Sequence, residues 1–153
     1  MLRQLEDGAL PQLAAGVALG REHGFRFGLE HNEAGIACFG TPERCAAALA
    51  AVPDLGFVWD FNHTTAEQLP GYLALADRMT MPHIADTPLP AVNHHLPLGQ
   101  GNFVFAAYCS ALCARGFHGA AILEIGCLPI SGDYGRDTDN ALVELLARLS
   151  AEC

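Results

Sequence analysis

Short apolar segments alternate with helical segments along this chain, and this alternation limits the fold more than any other feature of the sequence. Four short segments are typical of buried strands: FRFGLE (25–30), GFVWD (56–60), MPHIAD (81–86) and GAAILEIG (119–126). Strands that are apolar along most of their length are characteristic of parallel sheets covered by helices. The sequence therefore predicts an α/β fold with a parallel four-stranded sheet.

Helical segments precede and separate these strands. The segment 41–52 has the clearest start, because Thr41 is a good N-cap and Pro42 suits the first turn of a helix. Gly24 is a typical stop for the helix before the first strand. Helices are predicted at 8–23, 41–52, 65–79, 102–116 and 137–152, with an irregular stretch at 87–101. The order is one helix followed by four βα units.

The length of 153 residues, with 51% of them apolar, predicts one domain, residues 1–153, with its own core. No apolar run approaches the ~20 residues that a membrane span needs, and the first residues lack the basic start and apolar core of a secretory signal. We therefore expect a cytoplasmic protein that does not enter a membrane. The six cysteines form no CxxC pair, so reduced thiols are expected.

The charge of the chain limits its partners. Lysine is absent, and 17 acidic residues against eight arginines give a formal charge of −9. Nucleic-acid binding depends on cationic side chains that neutralise phosphates, so this balance argues against a nucleic-acid partner. The same shortage of cations disfavours a doubly phosphorylated substrate.

Polar side chains that can bind a cation lie at the end of each predicted strand. Glu30, Asp60 and Glu124 lie at or near the ends of their strands, while the third strand contains His83 and ends at Asp86. The carboxyl ends of parallel strands share one rim, where such folds build their sites. Two Glu, one Asp and one His suit a divalent cation such as Mn, Mg, Co or Zn. Each acid taken singly is equally a cap or a rim residue, and only the four together favour a metal site.

The segments LEHN, WDFNH, PHIAD, HLPLGQG and ILEIG, in this order, resemble the carboxyl-terminal half of the xylose-isomerase-like TIM-barrel superfamily over about residues 10–150. That superfamily includes sugar isomerases and epimerases, inosose dehydratases, hydroxypyruvate isomerases and apurinic endonucleases. The resemblance implies a (β/α)₈ barrel in which the last four strands hold a divalent metal. The metal ligands it implies are Glu30, Asp60, His83 and Glu124.

The resemblance also implies roles for residues beside these ligands. His63 completes the family's Asp-x-x-His motif and is expected to contact substrate or a second metal. His95 matches the histidine before the family's GxG loop and is a further substrate-binding candidate. Glu30 and Glu124 are the expected catalytic base and acid, and Trp59, with Phe61 as the alternative, is expected to wall the substrate pocket.

Two departures from the family pattern are visible. The family barrel has eight strands, whereas this sequence predicts a (β/α)₄ half-barrel, TIM-barrel-like, with two unpaired edges. We therefore expect a homodimer that completes the barrel, or a partner half-barrel from another protein. Asn93 stands where the endonuclease pattern has an Asp ligand, which argues against a multi-zinc site.

Three functions follow from these residues. The leading hypothesis is a divalent-metal-dependent isomerase or epimerase that acts on a small sugar or hydroxy-carbonyl compound through an enediolate; a lyase would share the first half of that chemistry. The alternative is a non-catalytic half-barrel subunit or metabolite-binding module of the same fold. The third is an apurinic endonuclease, which needs a basic DNA-binding face and several zinc ligands.

Overall fold

Four parallel strands form one sheet, and their order across the sheet is their order along the chain. The computed structural model describes residues 2–35, 38–126, 140 and 143. Within them the strands are β1 (Gly28–Glu30), β2 (Gly56–Asp60), β3 (Met79–Ile84) and β4 (Ile122–Leu123). The predicted parallel four-stranded sheet is confirmed.

Helices precede or follow each of these strands. They are α1 (Leu2–His23), α2 (Pro42–Ala51), α3 (Leu69–Leu73) and α4 (Phe105–Ala114), with 3₁₀ turns at Phe61–His63 and Ala76–Arg78. Within the described part of the chain, no helix combines the length and the apolar character that crossing a membrane requires. The predicted helix 137–152 lies outside the described residues except for Asn140 and Val143, which are both helical.

The helix predicted at 65–79, with a break near its start implied by Pro70 and Gly71, is much shorter in the structure. Only α3 and the 3₁₀ turn form there, and Met79 already belongs to β3. Pro70 lies in the first turn of α3, so the helix starts late. Gly71 packs closely against α2, since a Cβ at this position would lie 2.7 Å from Pro42. A short helix followed by a 3₁₀ turn therefore replaces the longer predicted helix.

The register of the sheet aligns polar residues across the strands. Asp60 is paired with His83, and His83 is paired with Ile122. The Glu124 backbone N–H donates to the carbonyl of Ile84 at 2.9 Å, just past the end of β4. Side chains of paired residues point to the same face of a sheet, so this register places Asp60 and His83 side by side.

The two faces of the sheet are unlike. Phe57 and Trp59 point to the helical side and are completely buried, because successive side chains of a strand point to opposite faces. On the other face β2 and β3 approach closely: a Cβ on Gly56 would lie 2.2 Å from Thr80 Cγ2, so only glycine fits there. Ile122 on β4 is 43% exposed. Among the described residues, the core covers one face of the sheet and leaves the other open.

The cysteines of the described segments agree with a reduced state. Cys38, Cys45, Cys109 and Cys113 are free thiols. Cys127 and Cys153 lie outside the described residues.

Candidate metal centre

Four side chains from different strands meet at the carboxyl-terminal rim of the sheet, which we call the mouth. Glu30, Asp60, His83 and Glu124 each offer one ligand atom, and these four atoms lie within 4.8 Å of one another. His83 Nδ1 is 3.1 Å from Glu30 Oε1 and 2.9 Å from Glu124 Oε2. The structure therefore brings together the four residues that the sequence singled out.

Asp60 is the buried member of this group. Its side chain is 1% exposed, and its Oδ1 accepts a hydrogen bond from the Asn62 backbone N–H at 2.8 Å. Among the described residues, Oδ2 has no hydrogen-bond partner; His63 Nδ1 lies 3.2 Å away without the alignment that a hydrogen bond requires. Burial raises the pKa of the Asp60 carboxyl above its ordinary value, and the nearby His63 opposes this effect.

A divalent cation fits this arrangement of donors. A buried carboxylate oxygen without a partner destabilises the fold, and three neighbouring carboxylates repel one another unless positive charge or protons intervene. A cation bound by Asp60 Oδ2 and the other three ligand atoms would give this oxygen a partner and would reduce the repulsion between the carboxylates. Three carboxylates and one imidazole are donors that Mn²⁺, Mg²⁺, Co²⁺ and Zn²⁺ accept.

Two further histidines line the same mouth. The rings of His63 and His95 are 5.7 Å apart in an edge-to-face arrangement. His95 is held by the Glu124 backbone carbonyl at 3.0 Å and by Asn93 Oδ1 at 3.1 Å. Ligand atoms of Asp60, His63 and His95 also lie within 4.8 Å of one another. Both predicted substrate-binding histidines are thus next to the predicted ligands.

Asp86, which ends the predicted third strand, has a different role from the mouth carboxylates. Its carboxylate is 2% exposed and accepts backbone N–H groups of Thr87 at 2.9 Å, Phe103 at 3.2 Å and Gly99 at 2.8 Å. Gly101 must be glycine, since a Cβ there would lie 2.4 Å from Asp86 Oδ1. Asp86 therefore holds the loop that contains His95 and the GxG pattern.

The expectation that Trp59 walls the substrate pocket is corrected by the structure. Its ring is completely buried and packs 4.5 Å from the ring of Phe61, which is equally buried. The indole Nε1 donates to Thr64 Oγ1 at 2.9 Å. Because Asp60 faces the mouth, its neighbour in the strand must face the helices, and Trp59 belongs to the core.

His31 is a residue of this region that the sequence did not single out. Its side chain is completely buried, and its Nε2 lies 2.8 Å from the backbone carbonyl of Asp60. Burial lowers the pKa of His31 to about 4, so the ring is neutral at neutral pH. The sequence did contain a signal for this burial. Successive side chains of a strand point to opposite faces, so the residue after the mouth-facing Glu30 points to the core.

The comparisons with known proteins agree with this fold. The family model of the xylose isomerase-like TIM barrel matches residues 6–149. The chain therefore belongs to the xylose isomerase-like TIM-barrel family, as the resemblance predicted. A search among curated proteins gave no significant match.

Solved structures show the same fold at low identity. A D-tagatose 3-epimerase-like protein is 22% identical, with a TM-score of 0.71 over 95% of this chain and 55% of its own. The 3-keto-D-glucoside 4-epimerase of E. coli is 17% identical, with a TM-score of 0.72 over 96% of this chain and 55% of its own. Protein SMc04130 of Sinorhizobium meliloti is 18% identical, with a TM-score of 0.77 over 99% and 59%. This chain thus spans little more than half the length of these structures.

Proposed function

We propose that this chain provides the metal-binding half of a divalent-metal-dependent isomerase or epimerase that acts on a small, uncharged sugar or hydroxy-carbonyl compound. The observation that carries the proposal is the convergence of Glu30, Asp60, His83 and Glu124 at one mouth, where a buried oxygen of Asp60 has no hydrogen-bond partner in the described part of the chain. The family and the sugar epimerases of similar fold support it.

Exposure separates the roles of the carboxylates. The side chains of Glu30 and Glu124 are 43% and 45% exposed, so a substrate could reach both, whereas Asp60 is buried and fixed. Glu30 and Glu124 are therefore the acid and base that would move a proton between substrate carbons. A bound divalent cation would supply the positive charge that stabilises an enediolate.

The histidines of the mouth would orient the substrate. His63 Nδ1 faces the protein, 3.4 Å from the His31 backbone carbonyl and 3.2 Å from the Asp60 carboxylate, which leaves Nε2 to contact a substrate oxygen. His95 is fixed by its contacts with Glu124 and Asn93, and its edge-to-face contact with His63 keeps the two rings together beside Asp60.

The distribution of arginines favours an uncharged substrate. Arg44 is paired with Glu6, and Arg21 with Asp54. Arg78 donates to the carbonyls of Leu49, Val52 and Leu55, which belong to α2 and the segment after it. Three arginines of the described residues remain. Arg3 lines a cavity that also contains Glu6. Arg26 and Arg115 line a different cavity, of about 350 Å³, together with Asp77. A phosphate or carboxylate at the mouth would meet acidic side chains and gain no guanidinium from these residues.

A second half-barrel would complete the site. β1 and β4 are the outer strands of the sheet, and Ile122 is exposed on the open face. Unpaired edges and exposed apolar faces favour association. We propose a homodimer, with a partner half-barrel from another chain as the alternative, to supply the missing wall of the mouth.

Metal binding tests the proposal directly. We expect metal-free protein to bind one Mn²⁺ per mouth by isothermal titration calorimetry, and Glu124→Gln to lower the affinity by on the order of 100-fold, because a charged ligand becomes neutral. Glu33→Gln is the matched control: this acid contacts Asn93 near the mouth at 3.5 Å without joining the ligand group. A wild-type protein that binds no divalent metal would overturn the proposal.

Catalysis is tested separately from binding. An active epimerase or isomerase should exchange a carbon-bound proton of a free ketose with D₂O, which NMR detects for a panel of uncharged ketoses. Exchange that requires metal and fails in Glu30→Gln supports the enzyme. Metal binding without exchange would favour the non-catalytic metabolite-binding half-barrel. The short length of this chain relative to the similar structures supports that alternative.

A further inference from the structure

His31 joins the ends of two strands that carry predicted ligands. It follows Glu30 directly in the chain, and its ring reaches β2, where Nε2 lies 2.8 Å from the Asp60 backbone carbonyl. A carbonyl oxygen only accepts hydrogen bonds, so His31 Nε2 donates this one. The side chain therefore ties the end of β1 to the residue that bears the buried ligand.

The same carbonyl is held a second time. Thr64 Oγ1 donates to the Asp60 carbonyl at 2.8 Å and in turn accepts from Trp59 Nε1 at 2.9 Å. His31, Thr64 and Trp59 thus form a buried network around the Asp60 main chain. Buried hydrogen bonds of this kind rigidify their surroundings.

Packing fixes the His31 ring, and its main chain contacts the mouth. The ring centroid of Tyr72 lies 4.0 Å away, that of Phe57 6.0 Å away, and His31 is completely buried between its neighbours. Its backbone carbonyl lies 3.4 Å from His63 Nδ1. One residue therefore contacts Asp60 through its ring and His63 through its main chain, and it takes no part in the chemistry proposed above.

We propose that His31 is a positioning residue that fixes Asp60 relative to Glu30 and thereby sets the affinity of the mouth for a divalent cation. This inference rests on the proposed function, because it assumes that the four donors bind one cation. Groups that orient ligands from behind typically change metal affinity 10–100-fold when they are removed. Displacements of about 0.5 Å suffice to weaken such a site.

The test compares Mn²⁺ affinities by electron paramagnetic resonance of free Mn²⁺, on the whole chain. His31→Leu removes the donor, and we expect affinity to fall about 10–100-fold. His31→Gln carries an amide N–H that can reach the same carbonyl, and affinity should return to within a few-fold of wild type. Tyr72→Phe is the matched control: it changes the ring packed on His31, but the hydroxyl it removes has no partner among the described residues, so affinity should not change.

Each result decides the inference. Equal Mn²⁺ affinity in His31→Leu and wild type would overturn it, as would a His31→Gln variant as weak as His31→Leu. Melting temperatures of the metal-free variants are the second readout: a loss of affinity that Tyr72→Phe shows equally, at the same loss of stability, would mean a structural role only. Should His31→Leu not fold, His31→Asn takes its place, because its shorter amide does not reach Asp60. A wild-type chain without Mn²⁺ affinity overturns the proposed function together with this inference. A wild-type chain that binds Mn²⁺ no more tightly than His31→Leu overturns this inference alone, so the two failures are distinguishable.

Discussion

Asp60 shows the conflict between stability and binding most clearly among the residues of the mouth. Its carboxylate is almost fully buried, one of its oxygens has no hydrogen-bond partner among the described residues, and burial raises its pKa. The metal-free protein is therefore destabilised by a charge that a cation would compensate. Such local cost is typical of functional sites, where stability is lower than the sequence could provide.

The substitution Asp60→Asn should reveal how much the buried Asp60 charge destabilises the metal-free protein. We expect the metal-free variant to melt at the same temperature as the metal-free wild type or higher, because a neutral amide replaces a buried charge, and to lose Mn²⁺ affinity by on the order of 100-fold. Thermal denaturation with and without chelator measures both effects. Asp54→Asn is the control, since it removes the same charge from an exposed side chain and should leave Mn²⁺ affinity unchanged. A metal-free Asp60→Asn protein that melts well below wild type would contradict this explanation.

Helix α2 illustrates how an element far from the mouth supports it. Thr41 caps the helix, with its side chain accepting from the Arg44 backbone N–H at 3.4 Å. Cys45 and Leu49 are buried on the side that contributes to the core. This packing supports the side of β2 that bears Phe57 and Trp59. The helix therefore contributes to stability without contacting a ligand.

Thr41→Ala should separate stability from binding. Loss of an N-cap side chain costs about 1 kcal/mol, and urea denaturation should show this decrease in the free energy of unfolding. Mn²⁺ affinity should remain at the wild-type value, because no ligand contacts the cap. Thr41→Ser keeps the capping hydroxyl and should unfold like wild type. A Thr41→Ala variant with weakened Mn²⁺ binding would show that α2 is coupled to the mouth.

At the scale of the whole molecule, the described residues cover one face of the sheet and leave the other open. The residues that point to the helices form a continuous core, whereas Ile122 on the outer strand β4 is 43% exposed. The chain covers 55% of the D-tagatose 3-epimerase-like structure and 59% of SMc04130. An open sheet face and a half-length match together explain why we propose a second half-barrel.

Ile122→Asp should disrupt this association. Sedimentation velocity of the 153-residue chain should show a dimer that dissociates at lower concentration, and a charge at the open face should shift the variant to monomer because a buried unpaired charge is unfavourable. Leu19→Asp is the control, since Leu19 is 50% exposed and belongs to helix α1 rather than to the sheet. A wild-type chain that remains monomeric at every concentration tested contradicts the homodimer.

The alternation of helices and strands, and with it the candidate site, could be predicted from the sequence because both depend on local information. Short apolar segments and a capped helix start are properties of neighbouring residues. Parallel strands share one direction, so Glu30, Asp60, His83 and Glu124 meet at one rim once the strands are recognised. Neither property depends on how the helices and strands pack.

Side-chain direction and long-range partners were decided only by the tertiary structure. Trp59 points to the core because Asp60 faces the mouth, and Asp86 holds the following loop because its carboxylate accepts the backbone N–H groups of Thr87, Gly99 and Phe103. His31 contacts the backbone carbonyl of Asp60, which lies 29 positions further along the chain. Such contacts depend on which surfaces pack together, and the free energy of that packing is set by the whole fold rather than by neighbouring residues. The sequence by itself thus determined which donors reach the mouth, while tertiary packing decided which side chains hold them in place.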